Sequence, residues 1–83
     1  MIPDYQAIGE RVKAVRLARG ITREQLALMI GCSVSFLGHI ERGSRKMSIE
    51  TLCKLSDALM VPTDFLVGLW NIKHTPTPKN TPT

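Results

Sequence analysis

The residues best placed to do chemistry in this chain lie between Arg11 and Lys46. Arg11, Lys13, Arg16, Arg19, Arg23, Arg42, Arg45 and Lys46 stand there against Glu24 and Glu41 alone, whereas the remainder sets three lysines against five acids. So biased a stretch suits a polyanion. Enzymatic chemistry has no support. There are no paired carboxylates for acid–base work, no nucleophile beside a base and no glycine loop to cradle a phosphate. Two histidines and two cysteines without clustered ligands give no support to a metal site, and no pattern calls for a cofactor.

Positioning these groups falls to a pair of short helices. Thr22 is a good N-cap, and Gln25 three residues later completes a capping box. Leu26, Ala27 and Ile30 then point inward, and Gly31 ends the helix by tolerating a positive φ. Ser33 caps the next helix, with Leu37 and Ile40 inward and Gly43 as its stop. The connection Gly31-Cys32-Ser33 is too short to turn the chain fully back, so the two helices must cross steeply and touch near the turn. Ala27 supplies the small residue that such an approach needs. This is the pattern of a helix-turn-helix, which DNA binders use.

Three further helices complete the unit. Ile8, Val12 and Val15 share one face of the first, which Gly20 stops. The fourth has Ser48 as N-cap and Ile49, Leu52, Leu55 and Leu59 as its stripe. The fifth opens at Pro62-Thr63-Asp64, where Pro and an acid suit a helix start, and carries Phe65, Leu66 and Leu69. No strand-like alternation occurs. The expectation is an all-α, compact five-helix domain over residues 4–70, with its helix-turn-helix formed by the second and third helices. Residues 71–83, rich in Thr and Pro, are expected to be a flexible tail.

Eighty-three residues suit one small domain, which buries only about 60–65% of the surface of its unfolded chain. No apolar run approaches the ~18 residues of a membrane span, and Met1 to Glu10 shows no signal-peptide pattern. A cytoplasmic protein with reduced Cys32 and Cys53 is expected.

Two charges fall inside apolar stripes. Arg16 lies four residues after Val12, and Glu41 four after Leu37. Burying either alone costs several kcal/mol, so the two are expected to pair, tying the first helix to the end of the third.

The run from Gln25 to Gly43, QLALMIGCSVSFLGHIERG, resembles the core of the Xre/Cro-type, lambda-repressor-like helix-turn-helix family of bacterial and phage repressors. Ser48 to Leu59 and Val61 to Leu66 resemble that family's fourth and fifth helices. The resemblance implies the same Arg16–Glu41 bridge and a third helix that reads bases in the major groove through Val34, Ser35, Gly38 and His39. On this reading Val34 packs on a thymine methyl, Ser35 donates or accepts at several bases, His39 donates to N7 or O6 of guanine or reaches a phosphate, and Gly38 permits close approach. Phe36, beside Leu37 and Ile40, is expected to be partly in the core. Backbone contacts are expected from Thr22, Arg23 and Gln25 at the start of the second helix and from Arg42, Ser44, Arg45 and Lys46 after the third.

The chain departs from the family pattern at three positions. Arg23 replaces a Gln that holds a phosphate and braces the third helix, Met60 replaces a Gly that ends the fourth, and Gly38 is a weak helix former costing about 1 kcal/mol against Ala. One recognition helix reads about four base pairs, so a homodimer on double-stranded DNA is expected, with Val67, Leu69, Trp70 and Ile72 as its interface. The implied function is a sequence-specific transcriptional regulator, a repressor. The competing reading is a protein-binding module, an antitoxin or a partner-controlled switch, with Trp70 and the tail as contacts to a protein partner.

Overall fold

A computed structural model of the chain describes residues 3–69. Five helices follow one another: α1 (Tyr5–Ala18), α2 (Arg23–Ile30), α3 (Val34–Arg42), α4 (Ile49–Leu59) and α5 (Thr63–Val67). The all-α reading holds, with no strand among the described residues. Trp70, Ile72 and the tail lie outside them.

Short polar caps start four of the helices. The Asp4 carboxylate accepts from the Ala7 N–H, and Ser33 and Ser48 accept from Phe36 and Thr51. At α2 the capping box is complete: Thr22 Oγ1 accepts from Gln25 N at 3.0 Å, and Gln25 Oε1 accepts from Thr22 N at 2.8 Å. Each such cap satisfies a backbone donor that the helix cannot and is worth about 1 kcal/mol. α5 opens on Pro62 with no side-chain cap and lasts one turn and a half.

Ile8, Val12, Leu26, Ala27, Ile30, Leu37, Ile40, Leu55, Leu59 and Leu66 form one buried core, to which all five helices contribute. The expected stripes hold with one exception. Ile49 is 78% exposed. It is the first residue of α4, and burial along that stripe grows inward through half-buried Leu52 to fully buried Leu55. Val15, Phe65 and Leu69 are also half-buried, so Leu66 alone of the α5 residues seals the core completely.

The most extensive helix pairing is α1 against α3. Two glycines allow it. A Cβ on Gly9 would collide with the carbonyl oxygen of Ile40 and lie 2.7 Å from that of Glu41. A Cβ on Gly43 would collide with Gln6 Cα. α1 therefore rests on the backbone of α3, which fixes how far α3 stands out from the body of the domain.

Two arginines that sequence reasoning counted toward a polyanion surface serve the fold instead. Arg19 donates through Nε to the Leu59 carbonyl and through Nη2 to that of Met60, capping the end of α4. Arg11 Nη1 donates to the Leu66 carbonyl at 3.1 Å, tying α1 to α5. Met60 itself sits at φ 58°, the left-handed conformation that the absent glycine would adopt without strain.

Candidate nucleic-acid interface

The turn between α2 and α3 has the predicted construction. Gly31 is left-handed at φ 74°, and the Cys32 N–H reaches back to the Ala27 carbonyl at 3.0 Å. Ser33 then starts α3 at once. Burial of the Cys32 thiol raises its pKa, partly offset by a hydrogen bond with the backbone of Leu37 and by the charge of Lys54.

α3 is held from behind by Leu37 and Ile40, both fully buried, and by Glu41. The predicted ion pair is present and bidentate. Arg16 Nε donates to Glu41 Oε2 at 2.7 Å and Arg16 Nη2 to Oε1 at 3.2 Å, while Arg16 Nη1 donates to the Ile21 carbonyl at 3.0 Å. Arg23 Nε also donates to Glu41 Oε1, at 3.2 Å. One carboxylate at the end of α3 thus gathers a guanidinium from α1 and another from α2. Arg23 braces the third helix through Glu41, where the family pattern has a Gln. Its side chain is 36% exposed.

The other face of α3 is open. Val34 is 38% exposed, Ser35 is exposed and His39 is half-exposed. Gly38 is not open, contrary to expectation. It is buried, because the Arg42 side chain folds back over it: a Cβ on Gly38 would lie 3.2 Å from Arg42 Nη1 and 3.6 Å from Nη2. Side chains on a helix lean toward its start, so a long residue covers the position four before it. Gly38 leaves that position vacant, and Arg42 fills it.

His39 is oriented by Ser44. The Ser44 hydroxyl lies 3.0 Å from His39 Nδ1 and donates to the His39 carbonyl at 3.3 Å, which leaves Nε2 as the ring nitrogen free for a base. Beside it, Ser33, Ser35, Phe36, His39 and Arg45 line a shallow cleft at the start of α3. Phe36 is half-buried against the core, as expected, and the Arg45 guanidinium stands 5.9 Å from its ring centroid.

The residues assigned to phosphate contacts divide into two groups. Arg42, Arg45 and Lys46 are exposed at the end of α3 and just beyond it. Thr22, Gln25 and Ser44 have side chains already bonded within the protein, in the α2 cap and to His39. The Thr22 hydroxyl proton and the Gln25 amide N–H groups remain to donate outward. Gly9, Arg11 and Arg19 were missed as positioning residues. For Gly9 a signal existed, since glycine inside an apolar helical stripe marks a close backbone approach.

A helix pair joined by a three-residue turn, with the outer face of its second helix exposed between basic flanks, is a helix-turn-helix DNA-binding domain. The helix-turn-helix family model HTH_3 matches residues 12–66, and the chain belongs to that family. It is 41% identical over 58 residues to the uncharacterised HTH-type transcriptional regulator YazB of Bacillus subtilis, covering 70% of this chain and 84% of YazB. Several other relatives are longer, and the chain spans about half of their length. Among solved structures, the restriction-modification controller protein C.AhdI of Aeromonas hydrophila superposes with a TM-score of 0.73 at 35% identity, over 76% of this chain and 96% of that one. The P22 c2 repressor in complex with a synthetic operator superposes with a TM-score of 0.72 at 33% identity, over 77% and 97%. Among the described residues no helix is long and apolar enough to cross a membrane.

Proposed function

We propose that the protein is a sequence-specific transcriptional repressor that inserts α3 into the major groove of double-stranded DNA as one half of a homodimer. The observation that carries this reading is the two-sidedness of α3. Leu37, Ile40 and Glu41 anchor it to the core, and Val34, Ser35 and His39 face outward beside Arg45 and Lys46. Similarity to the P22 c2 repressor, solved on its operator, supports the same use of the helix. Val34, Ser35 and His39 read bases. Thr22, Arg23, Gln25, Ser44, Arg45 and Lys46 hold the flanking phosphates.

A single α3 reads too few base pairs to find a site in a genome, so two copies act on half-sites about 34 Å apart. Their contact is built on Val67 and Leu69, with Trp70 and Ile72 beyond the described residues. Val67 lines a mainly apolar cleft with Pro3, Tyr5, Met47, Ile49 and Leu52, which extends that surface to the exposed Ile49 at the start of α4.

Selection of bound sequences from random duplex DNA tests the reading. A recurrent twofold-related sequence is expected, with affinity falling about 10³-fold between 50 and 200 mM salt for the six cations that Arg23, Arg45 and Lys46 of two protomers bring to phosphates. His39→Ala should erase the preference at one base pair. Ile49→Asp should yield monomers by sedimentation. A protein that binds no duplex DNA at low salt overturns the reading.

A further inference from the structure

We infer that Arg42 is a base-reading residue that recognises a guanine in the major groove, and that Gly38 is the slot that admits its guanidinium. The inference rests on the reading of α3 as the groove-entering helix and adds a specificity determinant to it. The phosphate role that Arg42 takes by its place at the end of α3 presupposes a side chain reaching past the helix. The geometry differs. The guanidinium lies back along α3, with Nη1 and Nη2 at 3.2 and 3.6 Å from where a Gly38 Cβ would stand. Positions 34, 38 and 42 form one ridge at helical spacing, so the charge arrives between Val34 and His39, amid the exposed residues of the helix.

Three observations support a recognition role. First, no hydrogen bond or ion pair engages the Arg42 side chain among the described residues, whereas Arg16 and Arg23 bond to Glu41 and Arg11 and Arg19 to backbone carbonyls. Its donors are free for a ligand. Second, a guanidinium is a planar fork whose paired N–H groups match O6 and N7 of guanine, the commonest specific contact in the major groove. Third, Gly38 lies inside a nine-residue helix, where it is a poor helix former. The three atoms nearest to where a Cβ would stand, at 3.2 to 3.7 Å, all belong to the Arg42 guanidinium and none to the backbone of another helix. The fold itself does not need a glycine at this position. The placement of Arg42 does.

The experiment compares wild-type protein, Arg42→Ala and Gly38→Ala, all as the full chain, against sequences selected from random duplex DNA by the wild type. The nearest neighbours of the new methyl in Gly38→Ala are the end of a flexible side chain, so it should fold; a melting temperature no lower than wild type confirms this. The wild type should prefer one G·C pair per half-site by about 10- to 100-fold over its alternatives, and both variants should lose that preference. Replacing that guanine by 7-deazaguanine, which lacks the N7 acceptor, should weaken the wild type about tenfold and leave Arg42→Ala unchanged. If Arg42→Ala instead weakens every sequence alike, lowers the salt slope by about 1.8 (about 0.9 for each protomer) and keeps the preference, Arg42 contacts a phosphate and the inference fails. If Gly38→Ala keeps the preference, the slot fails. Loss of all binding to random duplex by the wild type would overturn the DNA reading itself, an outcome distinct from both.

Discussion

Replacing Glu41 by Ala removes the one carboxylate that neutralises Arg16 inside the domain. The Arg16 side chain is 7% exposed and its acid partner 1%, so neither charge has water to fall back on. Deleting one partner of such a pair leaves a buried uncompensated cation, at a cost of about 3–5 kcal/mol. The second ligand, Arg23, is 36% exposed and adds no more than about 1 kcal/mol. A folded unit of this size is stable by roughly 3–10 kcal/mol in total. Glu41→Ala should therefore lower the melting temperature by about 12 °C or more, or leave the chain largely unfolded at 37 °C. Urea denaturation followed by helical circular dichroism gives the free-energy loss directly. The partner substitution sharpens the test. In Arg16→Met/Glu41→Leu both charges leave together, so most of the lost stability should return although the ion pair is gone. A Glu41→Ala loss below about 1 kcal/mol, or a double variant no better than the single one, would refute the account of Glu41 as a buried counter-charge.

Gly9→Ala places a methyl group against the backbone of Ile40 and Glu41, so α1 and α3 must separate; the gain in helix propensity of about 1 kcal/mol is outweighed, and a net loss of about 2 kcal/mol is expected by denaturant titration. Met60→Gly relieves a left-handed residue that is 72% exposed and packs little, so the melting temperature should rise by about 4–8 °C, and a fall would contradict the strain. Cys53 is exposed and Cys32 half-buried with a thiol pKa raised by that burial, so a maleimide near neutral pH should label Cys53 first and Cys32 only slowly; equal rates would contradict the placement of Cys32.

Local signals in this chain carried far because its helices are short and capped. Thr22 with Gln25, Ser33 and Ser48 each announce a helix start through a side chain that satisfies a named backbone donor, and all three behave as read. The Arg16–Glu41 bridge was legible because two charges inside apolar stripes have no other economical arrangement. What stayed hidden depends on where one helix meets another. Nothing in the spacing of α1 says that Gly9 lies against α3 and not against α2. Gly38 was misplaced for a similar reason. Counting residues around a helix gives the direction of a Cα but not what lies over it, and a long side chain one turn later had closed the position. Ile49 shows the same limit at a helix end, where periodicity continues although the neighbouring helices do not.

Stability and recognition are coupled in this domain through the end of α3. Glu41 is held by α1 and α2, Gly43 lies on Gln6, and Arg42 between them covers Gly38. Any change that lets α1 and α3 separate must therefore tilt the helix that carries Val34, Ser35, His39 and Arg42. Base readout depends on hydrogen-bond geometry that weakens steeply with distance and angle, whereas phosphate attraction is tolerant of both. A weakened α1–α3 contact should thus lose discrimination between sequences before it loses affinity for DNA. Gly9→Ala, if still folded at low temperature, is the variant in which these two quantities should part: its affinity for random duplex stays near the wild-type value while its preference for the selected sequence declines. A variant that lost both in proportion would show that α3 keeps its pose until the whole domain unfolds, and the coupling would then be one of stability alone.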